Sequence, residues 1–404
     1  MKILQLTPQF PFPPDDGGKI SIANIYDTLL ELGNDVIMVS ISQNEVPDNE
    51  IKKFIKNGTM EIIVKDTKNT LKRILKYFLT NKSIYIEKHY SFNLIELIES
   101  KVNMHEIDAI HVDHTNMARI GIDLARKYKL PIGLRLHNVE YMIWKRYYEE
   151  LSFLSPKKLF IGQQYKLLMK QEATFLNQVD VSFSITKKDK ERALEFAPNS
   201  NVIVATAGVN LSLWKPDENI SKKENSLVIA TTFNWVHNIN ALNWFLINIQ
   251  PKLREKFNNL ELNIIGKNPP KEFENYSEIG VNSLGYVEDV KPFLNKSEIY
   301  IAPLFVGSGI RIKILEAMAI GLPVVATDVS AEGIEANEED GLFRANTIDE
   351  YVKVLTQLLK DKTKLKHLGI KARDFILNNH TWEMNVNIML EEYQKLISSK
   401  KSKA

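Results

Sequence analysis

Short apolar runs alternate with longer amphipathic stretches along nearly the whole chain, the pattern of strands and helices that build a parallel sheet. Residues 2–7 read as a buried strand, 8–18 as a loop of prolines and glycines, and 20–32 as a helix with Ile22, Ile25, Tyr26, Leu29 and Leu30 on one face. Gly33 stops that helix and 35–40 is a second strand, so the chain opens β-loop-α-β with a right-handed crossover. Strands follow at 61–64, 109–112 and 131–136, and 179–186 reads as the last strand of the first half. Helices are expected at 71–78, 155–170 and 187–196, with a further apolar segment at 201–205.

A charged, polar stretch at 217–225 reads as a linker, after which the alternation restarts. Strands are expected at 227–230, 260–265, 299–304 and 323–327, with Asn240 capping a helix through 249, and 340–343 is a turn into a further strand. Residues 355–376 read as one helix, a last helix runs from 381 to about 398, and 400–404 form a frayed basic tail. The fold class is therefore α/β: a first Rossmann-like domain over 1–206, a hinge over 207–225, a second Rossmann-like domain over 226–380, and a terminal segment over 381–404.

Composition narrows the chemistry. A chain of 404 residues that is 44% hydrophobic can bury two cores, and a net charge of +2 exerts no strong pull on nucleic acid. The absence of cysteine excludes disulfides, thiol catalysis and cysteine-ligated metal. No run of eighteen apolar residues occurs, and the N-terminal apolar run is short and broken by Pro8, so a cytoplasmic soluble protein is expected.

The most informative stretch is 307–327. Gly307 and Gly309 free the backbone after a buried strand, Ser308 is a good N-cap, and Gly321 followed by Pro323 stops the helix between them. The result is a helix N-terminus that carries Arg311 and Lys313 and suits an anion. Glu316, on the same side as Lys313, suits the hydroxyls of a ribose. The plainer alternative is a surface Lys313–Glu316 pair contributing only a few tenths of a kcal/mol.

The whole stretch resembles the nucleotide-sugar site of family 4 retaining glycosyltransferases, in the branch written G-x-G-x-R-x-K-x-x-E-A-x-A-x-G-x-P-V-V, over about twenty consecutive positions. The resemblance implies the GT-B arrangement, two Rossmann-like doubly wound domains facing across a cleft. It gives Glu316 the donor ribose, and Arg311 and Lys313 the diphosphate, with Ser308, Gly309 and Ile310 lining the loop. Most of the wider family carries a glutamate where Ser308 stands, so donor-sugar contacts do not carry over there. Residues 283–290 resemble the family's G-x-V-x-D turn against which the base packs, through Tyr286 and Val287, and Asn234 lies in a loop expected to line the donor pocket. Residues 207–216 resemble its N-G-V-D segment, from which Ala207 and Asn210 depart, and a terminal helix in the family crosses back to the first domain.

In the first half, Gly17 and Gly18 precede a helix and by themselves suit a tight turn; in the family a glycine pair there faces the donor diphosphate. His137-Asn138-Val139-Glu140-Tyr141 follows a strand and is similar to a cluster of glycogen synthases and related retaining enzymes, in which the histidine sits beside the transferred sugar. His114, Asn138 and Tyr141 are assigned to the acceptor side. His111, Asp113 and His114 have the composition of a metal cluster, but strand alternation sends His111 and His114 to opposite faces. With no Asp-x-Asp in the sequence, no essential metal is expected, and the nucleotide-diphosphate sugar is a co-substrate with no other cofactor.

Lys72, Arg73 and Lys76 sit among leucines, and Lys157, Lys158, Lys166 and Lys170 repeat the composition. Such helices suit either peripheral contact with the inner face of an anionic membrane or a core-facing element with a solvated charged side. By resemblance the reaction is transfer of a sugar from a nucleotide donor to a hydroxyl of a glycan or lipid-linked glycan, with retention, in surface polysaccharide or glycan synthesis. A nucleotide-sugar epimerase of the same fold and a non-catalytic sugar-nucleotide-binding or scaffold subunit remain as rivals.

Overall fold

The computed structural model describes residues 1–14, 16–54, 58–307 and 309–402, the side chain of residue 401 excepted. They form two compact units, Met1–Thr206 with Glu383–Ala404, and Ala207–Trp382.

The first unit holds seven strands: β1 (Lys2–Thr7), β2 (Asp35–Ser42), β3 (Thr59–Val64), β4 (Ala109–Asp113), β5 (Ile132–Leu136), β6 (Val181–Ser184) and β7 (Val202–Val204). All pair in parallel in the order β3-β2-β1-β4-β5-β6-β7. Every residue of β4, β5 and β6 is buried, as strands covered by helices on both faces must be. The strand order reverses between β1 and β4, and the carboxyl ends of strands at such a reversal are where open α/β sheets hold ligands. The segment at 201–205 also joins the sheet, so β6 is not the last strand; a three-residue edge beside it gave too short a run to recognise.

The helix Gly17–Glu31 starts at the glycine pair itself, because Asp16 caps it by accepting from Lys19 N at 2.9 Å. From Glu383 onward the helix Trp382–Lys401 packs with the first unit. Tyr393 is buried with its hydroxyl 2.8 Å from His111 Nδ1. Lys400, expected in a frayed tail, is instead anchored, donating to Leu130 O at 3.0 Å and pairing with Asp180 at 3.2 Å.

The second unit repeats the scheme with β8 (Ser226–Ala230), β9 (Glu261–Ile265), β10 (Val281–Gly285), β11 (Ile299–Ala302), β12 (Val324–Ala326) and β13 (Leu342–Arg344), all parallel in the order β10-β9-β8-β11-β12-β13. Leu227, Ile229, Leu262 and Ile264 of the sheet and Leu242, Phe245 and Leu246 of the covering helix make its core. That helix, Val236–Asn248, begins before Asn240; Asn238 secures the entry instead, donating to Thr231 Oγ1 at 3.0 Å and Thr232 O at 2.7 Å. The single helix expected over 355–376 is two, Ile348–Lys360 and Lys362–Asn379. Asp361 ends the first and caps the second by accepting from Lys364 N at 2.9 Å.

Candidate functional site

In the second unit the strand order reverses between β8 and β11, and the glycine loop leaves β11 there. Ser308 lies outside the described residues. The helix after the loop is Ile312–Ala319, shorter than a Ser308 cap would give, with Arg311 in extended backbone at the cap position. Gly309 has a φ of 77°, open to glycine at little cost. A Cβ at Gly307 would collide with Arg311 Nη2, so the glycine makes room for the guanidinium. Arg311 Nη1 donates to Gly309 O at 3.0 Å, and burial lowers its pKa. Ile310 is half-buried beside it.

Lys313 and Glu316 meet on the first turns of that helix, with Nζ 2.9 Å from Oε2. Glu316 is 4% exposed, and burial raises its pKa while Lys313 pulls it down. Lys313 is half-exposed, so the pair contributes about 0.5 kcal/mol. A buried carboxylate bridged by one mobile ammonium is a site that can exchange its partner for hydroxyl donors. Trp214 lies beside it, with the ammonium groups of Lys313 and Lys291 at 5.5 and 5.8 Å from its ring. Neither Trp214 nor Lys291 stands out in the sequence, although Trp214 lies within the 207–216 segment that does.

Tyr286 is exposed just past β10, with Lys267 Nζ 5.3 Å from its ring, and Val287 is half-buried after it. Asn234 accepts from Asn268 at 2.7 Å, linking the loops after β8 and β9. Those loops approach closely at Gly266, where a Cβ would collide with Thr231 O. Among the described residues of the second unit, then, Asn234, Tyr286, Gly309, Arg311, Lys313 and Glu316 all lie in loops or helix starts beyond the carboxyl ends of the strands.

In the first unit the β1/β4 reversal gathers a second group. A Cβ at Gly18 would stand 3.4 Å from Gln9 Nε2 and 3.6 Å from His114 Nε2, whereas Gly17 faces open space. His114 has φ 68° and ψ 141°, a strained backbone for a residue with a side chain, and its ring stacks on His137 at 3.6 Å. Burial lowers the pKa of both rings. His137 Nε2 lies 3.3 Å from Asp113 Oδ1. Asp113 is wholly buried; burial works to raise its pKa, but His111 and His137 hold it well below the usual carboxylate range, and Gln5 donates to Oδ2 at 2.7 Å.

Asn138 is half-buried and hydrogen-bonds the Glu140 carboxylate, while the Tyr141 ring packs edge-on against Phe196 at 5.0 Å. Behind them stands Glu172, from the helix Pro156–Leu176. Its carboxylate caps the helix Glu140–Glu150, accepting from Glu140 N at 3.0 Å and Tyr141 N at 2.7 Å, with the Thr115 hydroxyl at 3.4 Å. Glu172 thus ties the loop after β4 to the loop after β5 and fixes the two histidines relative to one another. No local signal singles it out. Among the described residues no group of three or more histidine or acidic side chains is arranged to hold a metal ion.

Residues 224–361 match the family described as Glycosyl transferases group 1. An uncharacterized 44.6 kDa protein of the cps region of Klebsiella pneumoniae is 23% identical over 94% of this chain and 96% of its own. An uncharacterized glycosyltransferase of Haemophilus influenzae is 24% identical over 88% of this chain and 90% of its own. Among solved structures, sucrose-phosphate synthase of Thermosynechococcus elongatus superposes with a TM-score of 0.72 at 16% identity, covering 99% of this chain and 100% of that one. The Anabaena protein Alr3699/HepE, in complex with UDP, gives 0.67 at 13% identity, covering 98% and 100%. The fold is GT-B, two Rossmann-like units each with a parallel sheet, and these likenesses support a glycosyltransferase.

Proposed function

We propose that the chain moves a sugar from a nucleotide-diphosphate donor to a hydroxyl of a glycan or lipid-linked glycan, with retention at the anomeric carbon and without a metal ion or other cofactor. The observation that carries this reading is the Lys313–Glu316 pair at 2.9 Å, on a helix that follows a glycine loop and Arg311. Breaking the sugar–phosphate bond leaves charge on the departing diphosphate, and fixed cations with a helix N-terminus meet that charge. Arg311 and Lys313 supply it here. When Lys313 turns to phosphate, the buried Glu316 carboxylate takes two ribose hydroxyls in its place. Tyr286 and Val287 support the base, with Asn234 and Gly309 beside the donor.

In the first unit the same reading gives His137 the transferred sugar, Gly17 and Gly18 the diphosphate, and His114, Asn138 and Tyr141 the acceptor. The UDP in the Anabaena complex supports a nucleotide donor, and the cps relative supports polysaccharide synthesis. A lipid-linked acceptor would bring the chain to the inner face of a membrane.

Calorimetric titration with UDP, GDP, ADP and dTDP, each with and without EDTA, tests the donor site. Binding of one nucleotide, indifferent to EDTA and weakened in Lys313→Ala, is the expected result. Binding of none overturns the reading and favours a scaffold subunit, and turnover of a nucleotide sugar without acceptor would favour an epimerase.

A further inference from the structure

The helix Leu71–Leu79 presents its apolar side outward. Tyr77 is its only buried residue, while Leu71, Leu75 and Leu79, spaced four apart on one stripe, face solvent. The helix thus has an inward side, Ile74, Tyr77 and Phe78, as well as this outward stripe. Beside it, the start of the helix Pro156–Leu176 and the turn before it expose Phe153, Leu154 and Leu159. These six side chains range from 58% exposed at Leu75 to 90% at Phe153. The two segments are one surface: Gln163 donates to Phe78 O at 3.0 Å, and the rings of Phe78 and Phe160 lie 6.3 Å apart.

Apolar groups so exposed, and so close together, mark an interaction surface. The charges around them say which kind. Residues 68–82 carry five basic side chains and 151–170 carry four, with no aspartate or glutamate in either, although Arg73 pairs with Asp66, Lys82 pairs with Glu87, and Glu149 and Glu150 stand just before the second segment. Lys72 and Lys76 flank the leucine stripe and are exposed. Apolar residues framed by lysines, with no acid among them, match the interface of an anionic bilayer, where acyl chains take the first and lipid phosphates the second.

We propose that this surface docks the chain on an anionic membrane, with Leu75, Leu79, Phe153 and Leu154 entering the headgroup boundary. No helix among the described residues is long and apolar enough to cross a membrane, so the contact is peripheral. The surface belongs to the first unit, and the proposal does not depend on the donor-site reading.

Sedimentation of the full chain with lipid vesicles tests the proposal. The chain pellets with mixed phosphatidylcholine–phosphatidylglycerol vesicles, stays in solution with phosphatidylcholine alone, and is released as salt rises. Leu75→Asn with Leu79→Asn, and separately Lys72→Glu with Lys76→Glu, each weaken partitioning about tenfold or more. All these side chains are exposed, so melting temperature and nucleotide affinity stay at their unmodified values. Failure of the unmodified chain to bind, or equal binding by the variants, overturns the proposal. So does a dimer that dissociates in the leucine variant, which would assign the surface to a second copy. Nucleotide titration of the same samples keeps a failure of the donor-site reading separate from a failure of docking.

Discussion

His114 and His137 stack ring on ring, with centroids 3.6 Å apart and planes 8° from parallel. Burial pushes His114 well below the ordinary imidazole value, helped by the neighbouring ring, and burial lowers His137 despite the Asp113 carboxylate. Both are therefore neutral near pH 7. In the unfolded chain each returns to about 6.5, so below that value the unfolded state binds more protons than the folded one. Stability from the neutral pair is full above about 6.5 and is lost as pH falls toward the folded values. Ring-nitrogen NMR should find both rings titrating below the ordinary imidazole value, and a ring there that titrates at the ordinary value would contradict this account.

Lys313→Ala is expected to lower turnover about ten- to a hundredfold, because a charged hydrogen bond to the leaving group is worth roughly 1.5 to 3 kcal/mol. The fold should hold, since Lys313 is half-exposed. Glu316→Gln should act on nucleotide affinity instead. Unaltered turnover in the first variant, or unaltered affinity in the second, removes the role given to that side chain.

Glu172 and Glu140 are buried together, and burial with mutual repulsion raises Glu172 to about 8, while burial raises Glu140 to about 7. Folded values above the unfolded one mean that the folded state holds the extra protons, so the pair's contribution to stability is full below the unfolded value of 4.5, is lost as pH rises from there to 7 to 8, and levels off beyond. Melting temperature should fall across that interval, and Glu140→Gln should flatten the fall. An equal slope in the variant would place the alkaline loss elsewhere.

Asp113→Asn tests the partner of His137. The carboxylate 3.3 Å from Nε2 holds the proton on that nitrogen, and an amide that can donate its own proton releases the constraint. The expected result is a change of His137 tautomer in the ring-nitrogen spectrum and a loss of turnover of about tenfold or more. An unchanged tautomer would leave Asp113 a structural residue.

Most of the fold was legible because the buried strands are compact apolar runs separated by helix-length amphipathic stretches. The exceptions have local causes. The edge strand β7 is three residues long, and Asp361 divides two helices whose apolar positions run on across it. At the site, Arg311, Lys313 and Glu316 lie within six consecutive residues, so one stretch of sequence displays them together. Glu172 and Trp214 reach their places by packing between residues distant in the chain, Glu172 lying 32 positions from the Glu140 amide it accepts from. Nothing in a local pattern records such a contact. The outward leucines of 71–79 were ambiguous for another reason: spacing defines a stripe but not which way it faces.

The hydroxyl of Tyr393 on His111 sets an order of events during synthesis. Gly133 is bare where Tyr393 lies, since a Cβ there would collide with that hydroxyl, and the slot belongs to a residue made only after the entire second unit. A nascent chain that has emerged through residue 206 therefore holds the residues of all seven strands but not the side chain that fills the space against β5. That space can be filled only once the terminal helix has been made, so the first unit needs the last residues of the chain to complete its interior.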